Sequence, residues 1–364
     1  MKKYDSERGS SLLRFFDRYL GIPIVFLLGI FKRKKTLPND IQRIALLKTA
    51  AIGDTTILTA IIKDIEDYDA NIKITLFTGS SNYEFAKLLQ TQYKNLDVIK
   101  LPIKNPLKSI KYIRSKQFDY FLDFGPWPRL DAILSFFSNS GYRVGFKTDN
   151  QYRHYVYDKY VLHSKDIHEL QNYKNILKVI GIKKDNLPQI NFVEKKIIES
   201  NIVIHMFPGG SRSYLKEWPE RYWIDIINYL TSKNYQIYLT GAKVDKMSAE
   251  IIKEQCKYRE QINITAGEFS LADTIKLLAC SKLVISVNTG VMHIASALQC
   301  NLIALHGPTN HKRWGPLNDN AIVLQSPLKC SPCLNLGFDY GCNVNKCMQS
   351  IYVDKVIESI DKML

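Results

Sequence analysis

No run of about 20 apolar residues occurs in this chain, so no segment reads as a membrane-spanning helix. The uncharged stretch Tyr19 to Phe31 falls short of that length. No small-residue cleavage site follows it, which argues against a secretory signal. Acidic residues are scarce beside basic ones, 35 Asp and Glu against 50 Lys and Arg, leaving a net charge of +15. A nucleic-acid-binding zinc finger, an aromatic RNA-binding signature and an Arg-rich arm are all missing. The charge therefore points away from nucleic acid and toward other anionic partners, such as acidic lipid or phosphorylated sugars. Short internal repeats and low-complexity tracts are also missing. With 46% apolar residues in 364, the chain reads as globular and long enough for two ordinary domains.

What is present is alternation. From Ile41 onward, short apolar strands alternate with segments of helical periodicity: strands at Arg43–Leu47, Ile72–Phe77, Leu96–Leu101, Tyr120–Asp123 and Tyr142–Gly145, and a first helix over Thr55–Ile65. A turn-rich break, Gly181 to Pro188, interrupts the pattern. Strands then resume at Ile202–Met206, Gln236–Leu239, Ile262–Thr265, Leu283–Val287 and Leu302–Leu305, with helices at Pro219–Tyr229, Asp245–Gln255, Leu271–Ala279 and Met292–Leu298. Such alternation predicts α/β architecture with two doubly wound parallel sheets, and a ligand cleft at the carboxyl ends of their strands. The expected divisions are a basic and apolar N-terminal segment 1–37, an N-terminal Rossmann-like domain 38–185, a second such domain 186–328, and a Cys-rich tail with a final helix 329–364, the helix expected to pack back on the first domain.

The motifs fall at strand-to-helix turns. Ser286-Val287-Asn288-Thr289-Gly290-Val291-Met292-His293 joins an apolar strand to a helix start, where converging N–H groups and the helix dipole suit a phosphate. His293, one turn on, is a further phosphate partner or a helix-face histidine. Phe207-Pro208-Gly209-Gly210-Ser211-Arg212 leads to Lys216. Its glycines permit close approach, and Ser211, Arg212 and Lys216 offer donors and positive charge for a diphosphate. The order Gly-x4-Gly-Lys of a Walker loop is not there. Gly241, in Thr240-Gly241-Ala242-Lys243, could line a nucleotide, and Phe269 could cover a base. Asp54, after Lys48-Thr49-Ala50-Ala51-Ile52-Gly53, stands at a helix start, where it reads either as a general base or as an N-cap.

Four of these segments together resemble glycosyltransferase family 9, the lipopolysaccharide heptosyltransferases: Lys48 to Asp54, Lys216-Glu217-Trp218-Pro219-Glu220, Asn288 to His293, and Gly307-Pro308-Thr309. The resemblance runs from about Ile41 to the C-terminus. It implies a GT-B fold, an acceptor in the first domain and a nucleotide-sugar donor, ADP-heptose in the leading case, in the second. It implies inverting transfer onto a lipopolysaccharide-core or related glycolipid without a required cofactor. Asp54 matches the base and Lys48 a basic residue near the reacting centre. Ser211 and Lys216 match donor-phosphate contacts, and Thr289, Gly290 and His293 match the phosphate-binding helix start. Asn288, Lys243 and Asn310 depart from the family pattern, all at positions that bear on donor recognition. A hexose or N-acetylhexosamine donor, or a non-catalytic nucleotide-sugar-binding protein, is the alternative.

Residues 1–37 carry nine Lys/Arg against three Asp/Glu. They read as a peripheral anchor on the anionic inner face of the cytoplasmic membrane, or as a helix docked on the protein. Cys256, Cys280 and Cys300 read as buried thiols. Cys330, Cys333, Cys342 and Cys347 are spaced for a structural zinc, for disulfides or for plain reduced thiols.

Overall fold

The computed structural model describes residues 11–33, 35–336 and 340–364. Residues 1–10 and Lys34 of the basic N-terminal segment, and 337–339 of the tail, lie outside the described residues. The chain divides into two compact units between Leu187 and Pro188.

The first unit opens with helices α1 (Ser11–Tyr19) and α2 (Gly21–Ile30). It continues through β1 (Arg43–Lys48), α3 (Ile52–Tyr68), β2 (Lys73–Thr78), α4 (Ser80–Leu89), β3 (Leu96–Lys100), α5 (Pro106–Arg114), β4 (Gln117–Asp123), α6 (Arg129–Phe136), β5 (Asn139–Lys147), β6 (Lys159–Leu162) and α7 (Glu169–Val179). Its six strands run parallel in the order β3-β2-β1-β4-β5-β6. Helices cover both faces of such a sheet, so the central strand reads as an unbroken apolar run: Ile44, Ala45, Leu46 and Leu47 are all fully buried. Phe77, Phe118 and Phe121 pack on one another beside Ala45 and Leu47. Each buried aliphatic side chain of this kind contributes roughly 1.5–3 kcal/mol.

The second unit repeats the plan: β7 (Ile198–His205), α8 (Glu220–Ser232), β8 (Gln236–Leu239), α9 (Lys246–Gln255), β9 (Ile262–Ile264), α10 (Leu271–Ala279), β10 (Ser281–Val287), α11 (Gly290–Ala297), β11 (Leu302–His306), α12 (His311–Trp314), β12 (Ala321–Gln325), α13 (Lys346–Gln349) and α14 (Val353–Met363). Its sheet is again six-stranded and parallel, in the order β12-β11-β10-β7-β8-β9. Both units thus share one doubly wound topology. In each, the first strand lies between the second and the fourth, so chain order reverses beside it.

The final helix corrects one expectation. α14 packs on the second unit, not the first: Val356 and Ile360 join the core of Trp223, Ile226 and Leu230, and Lys233, which follows α8, pairs with Asp361 at 2.8 Å. The N-terminal helices are docked on the first unit, where Val25 packs with Ala132, Val156 and Tyr157. β6 and β12 are short edge strands, β6 mostly exposed and β12 half-buried throughout, and neither is anticipated from the sequence.

Candidate functional site

In a doubly wound sheet, ligands bind where strand order reverses, at the carboxyl ends of the strands. In the first unit that point lies between β1 and β4. Lys48 ends β1, and Asp54 is the third residue of α3. Ala51 holds the N-cap position, so Asp54 is not the cap its place in the sequence allowed. Instead Asp54 Oδ1 pairs with Lys48 Nζ at 2.8 Å and accepts the Tyr173 hydroxyl at 3.0 Å. Lys48 is almost fully buried, its Nζ also donating to the Phe124 carbonyl at 3.1 Å and lying 5.3 Å from the centre of the Tyr173 ring.

The loop between these two residues is clamped from both sides. Asn82 Nδ2 donates to the Lys48 carbonyl and to Thr55 Oγ1, both at 2.8 Å. At Gly79 a Cβ atom would stand 2.2 Å from the Thr49 carbonyl oxygen, so only glycine lets α4 approach so closely. On the other side, Thr49 Oγ1 donates to the carboxylate of Asp131, at 2.9 and 3.1 Å.

Asp131 belongs to a buried polar cluster at the end of β4. Asp123 Oδ2 accepts from Arg153 and from the Tyr157 hydroxyl, each at 2.6 Å, and its Oδ1 accepts the Gly125 N–H at 2.8 Å. One guanidinium thus faces two carboxylates. Burial, and then the charge of Asp123, push the Asp131 carboxyl up to about 7. Burial raises the Tyr157 phenol well above its ordinary range. Asp123, Asp131, Arg153 and Tyr173 were not legible as site residues. Tyr173 reaches Asp54 directly and Asp131 reaches Thr49, each from dozens of residues away, with Asp123 and Arg153 packed behind Asp131.

In the second unit the reversal lies between β7 and β10. The glycine loop follows β7, and the Asn288-Thr289-Gly290 turn follows β10, so both anticipated donor motifs stand at one reversal. Gly209 has open space where a side chain would be, and Gly210 adopts φ of +96°. Lys216 Nζ donates to the Gly209 carbonyl at 2.8 Å, closing the loop on itself. Thr289 is the N-cap of α11, yet its side chain caps nothing, and its Oγ1 is buried without a partner among the described residues. His293 lies in the first turn of α11, with its ring 6.5 Å from that of Trp314. Asn288 uses its amide to donate to the Trp314 carbonyl at 3.1 Å, a bond an Asp could not make. Behind them His306 is fully buried, and burial drives its pKa down to about 3.

Other anticipated residues have different surroundings. Arg212, at φ +50°, donates to the Cys342 carbonyl at 2.7 Å and lies over the Tyr340 ring, while Tyr340 donates to the Ser211 carbonyl at 3.2 Å. The tail segment is therefore bound to the glycine loop, a link no spacing in the sequence signals. Gly241, after β8, is fixed by packing, since a Cβ there would meet Phe207 at 2.9 Å. Phe269, after β9, is 43% exposed, open on one side to a flat ligand. Of the three alternatives for the tail cysteines, the structure shows reduced thiols. Cys330, Cys333, Cys342 and Cys347 are free thiols, and among the described residues no group of three or more His, Cys, Asp or Glu side chains could hold a metal ion. Cys256 and Cys300 are buried thiols as anticipated, and burial pushes them up to about 11 and about 12.

Two doubly wound parallel domains with ligand loops at the reversal of each sheet define a GT-B architecture. The family description "Glycosyltransferase family 9 (heptosyltransferase)" matches residues 107–342, more than half of the chain, and the protein belongs to that family. It is 30% identical over 125 residues to lipooligosaccharide heptosyltransferase 2 of Haemophilus influenzae, a match covering 34% of this chain and 36% of that protein. It is 24% identical over 328 residues to lipooligosaccharide heptosyltransferase 2 of Campylobacter jejuni strain NCTC 11168, covering 86% of this chain and 95% of that protein. Across three such relatives the chain spans 36% to 61% of their length. The solved E. coli ADP-heptose LPS heptosyltransferase II superposes with a TM-score of 0.69 at 18% identity, covering 88% of this chain and 98% of that one, which speaks for the fold.

Proposed function

We propose that this protein is an inverting glycosyltransferase that moves heptose from ADP-heptose onto a lipopolysaccharide-core or related surface-glycolipid acceptor at the cytoplasmic face of the inner membrane. The observation that carries this reading is the state of Asp54: a carboxylate at the reversal of the first sheet, oriented by Lys48 and Tyr173 and not spent on capping a helix. The acceptor hydroxyl oxygen attacks the anomeric carbon opposite the leaving group and gives its proton to Asp54. The bond from that carbon to the diphosphate breaks, and ADP departs with the electron pair. Lys216, Ser211 and the N–H groups at Gly290 hold the growing negative charge on the diphosphate, with Thr289 and His293 beside it. Phe269 and Gly241 line the nucleotide. A cation and a helix N-terminus supply the charge stabilisation that a divalent ion gives elsewhere, so no cofactor is required.

A different nucleotide-sugar donor is the second reading. It is favoured by the exposed Lys243 beside Gly241, and by Asn288, whose amide is committed to the Trp314 carbonyl. Purified protein incubated with a panel of nucleotide sugars and extracted glycolipids, with nucleoside diphosphate release followed, tests both. Acceptor-dependent release from ADP-heptose that Asp54→Asn abolishes is expected. Release from another donor alone replaces the sugar. Saturable donor binding without release by any acceptor would sink the transferase reading.

A further inference from the structure

Helices α1 and α2 are assembled inside out. α2 lies against the first unit through Gly21, Val25 and Gly29, spaced at one helical face; Cβ atoms at the two glycines would stand 2.8 Å from Arg129 and 2.9 Å from Tyr155. Its bulky residues turn away: Phe26, Leu27, Ile30 and Phe31 are exposed by half or more. α1 does the same. Asp17, the one acidic residue between positions 11 and 35, faces inward, where its Oδ1 caps α6 by accepting the Arg129 and Leu130 N–H groups at 2.8 and 3.1 Å, and its Oδ2 pairs with the Arg129 guanidinium at 3.0 Å. Phe15 and Phe16 point outward.

The result is an apolar face on a firmly held hairpin, with exposed cations and, among the described residues of the two helices, no exposed acid. Arg18 and Arg33 are exposed around it. Tyr155, packed edge-on against Phe26, and Tyr160 extend the face with amphipathic rings, which favour a membrane interface. Apolar area this large on a soluble surface marks an interaction site. A rim of one sign selects the partner: a protein partner would have to bring its own acids to an apolar face, whereas an anionic bilayer presents both chemistries at once. No helix among the described residues is long and apolar enough to cross a membrane, and helices of 9 and 10 residues span only about 15 Å each, a length suited to lying along a bilayer surface.

We propose that the outward face of the α1–α2 hairpin docks the protein on an anionic lipid bilayer surface. The geometry differs from a flexible tether. Asp17 and the two glycines fix the hairpin to the domain that carries Lys48 and Asp54, so docking sets that domain's orientation on the surface.

Flotation of the full chain with phosphatidylcholine vesicles, with and without phosphatidylglycerol, tests this without any donor or acceptor, so its result is separate from that of the turnover assay. The native protein is expected to float with the anionic vesicles and to be released by salt. The pair Phe16→Ser and Phe31→Ser should lower partitioning at least about tenfold per residue. The pair Arg18→Gln and Arg33→Gln should lower it about fivefold for each cation lost, while leaving binding to neutral vesicles unchanged. Melting temperatures should not move in either pair, since all four side chains face solvent. Absence of flotation with anionic vesicles, or unchanged flotation of the Phe pair, overturns the proposal. So does a native dimer that the Phe pair dissociates without any vesicle binding, which assigns the face to a second copy. Binding that emerges only after removal of residues 1–10 assigns the face to that segment, and likewise overturns it.

Discussion

The Thr49 hydroxyl donates to the Asp131 carboxylate at 2.9 Å, tying the loop between Lys48 and Asp54 to the first turn of α6 across 82 residues of sequence. Asp131 titrates near neutrality, lifted to about 7 by burial and by Asp123. In an unfolded chain it ionises near pH 4. Between those values the folded protein keeps a proton that the unfolded chain has released. Stability therefore falls as pH rises across that window, by up to ~1.4 kcal/mol per pH unit, and levels off above it. Asp131→Asn retains an acceptor for Thr49 but cannot ionise. Urea unfolding at about pH 5 and about pH 8 should show the variant gaining ~2 to 3 kcal/mol on the native protein over that interval. A constant difference between the two proteins at both pH values contradicts a near-neutral Asp131.

Tyr173 and Lys48 hold the same oxygen of Asp54, so their loss should misorient the base without touching the donor site in the other unit. Tyr173→Phe removes one hydrogen bond of about 1 kcal/mol, and kcat should fall about fivefold. Asp54→Asn removes the base, and kcat should fall at least about 100-fold. ADP binding measured by calorimetry should be unchanged in both. Near-native turnover by Asp54→Asn would assign Asp54 a structural role.

What could be read from the sequence is what local pattern dictates. Leu283 to Val287 is an apolar run, as a strand buried on both faces must be, and the Asn-Thr-Gly turn after it announces a helix start. The candidate donor loops could be marked because glycines and small polar residues at strand ends are themselves the signal, and the structure sets both at the reversal of the second sheet. β6, Lys159-Tyr-Val-Leu, was not: it is an edge strand whose residues are mostly exposed, and exposure erases periodicity. Neither Asp131 nor Tyr173 could be found that way, since each meets the Lys48 loop only through the order of strands in the sheet. The inward turn of Asp17 was hidden for a related reason. An apolar segment with few acids looks the same whether its apolar side faces the protein or the solvent.

Gly79 is a test of how closely that loop is held. Its backbone is extended at φ −91°, so alanine is conformationally acceptable there, and the obstacle is space alone. The added methyl would meet the Thr49 carbonyl at 2.2 Å, and backbone does not yield as a side-chain tip does. Gly79→Ala should destabilise the protein by about 1–3 kcal/mol in urea titrations. It should also lower kcat in the folded protein, because the displaced segment is the one between Lys48 and Asp54. Gly181→Ala is the contrasting control. Gly181 has no atom within 4 Å of a would-be Cβ, but its φ of +84° strains alanine, so stability should fall while kcat stays.

Thr289 should show stability and function moving in opposite directions. Its Oγ1 occupies the N-cap position of α11, where a threonine ordinarily accepts a backbone N–H, yet it is buried and bonds to nothing among the described residues. A buried hydroxyl in that condition costs the folded state about 1–3 kcal/mol, so Thr289→Val, which keeps the shape and removes the oxygen, should raise the melting temperature of the ligand-free protein. If the hydroxyl is held there for the donor's diphosphate, the same change should weaken ADP binding by roughly tenfold, the value of one hydrogen bond to a charged group. Thr289→Ser should keep both native values. Calorimetric titration with ADP and thermal unfolding of the three proteins separate the cases. A variant that is stabilised yet binds ADP as tightly as the native chain would leave Thr289 outside the phosphate site, and the α11 N-terminus would then act through its backbone N–H groups alone.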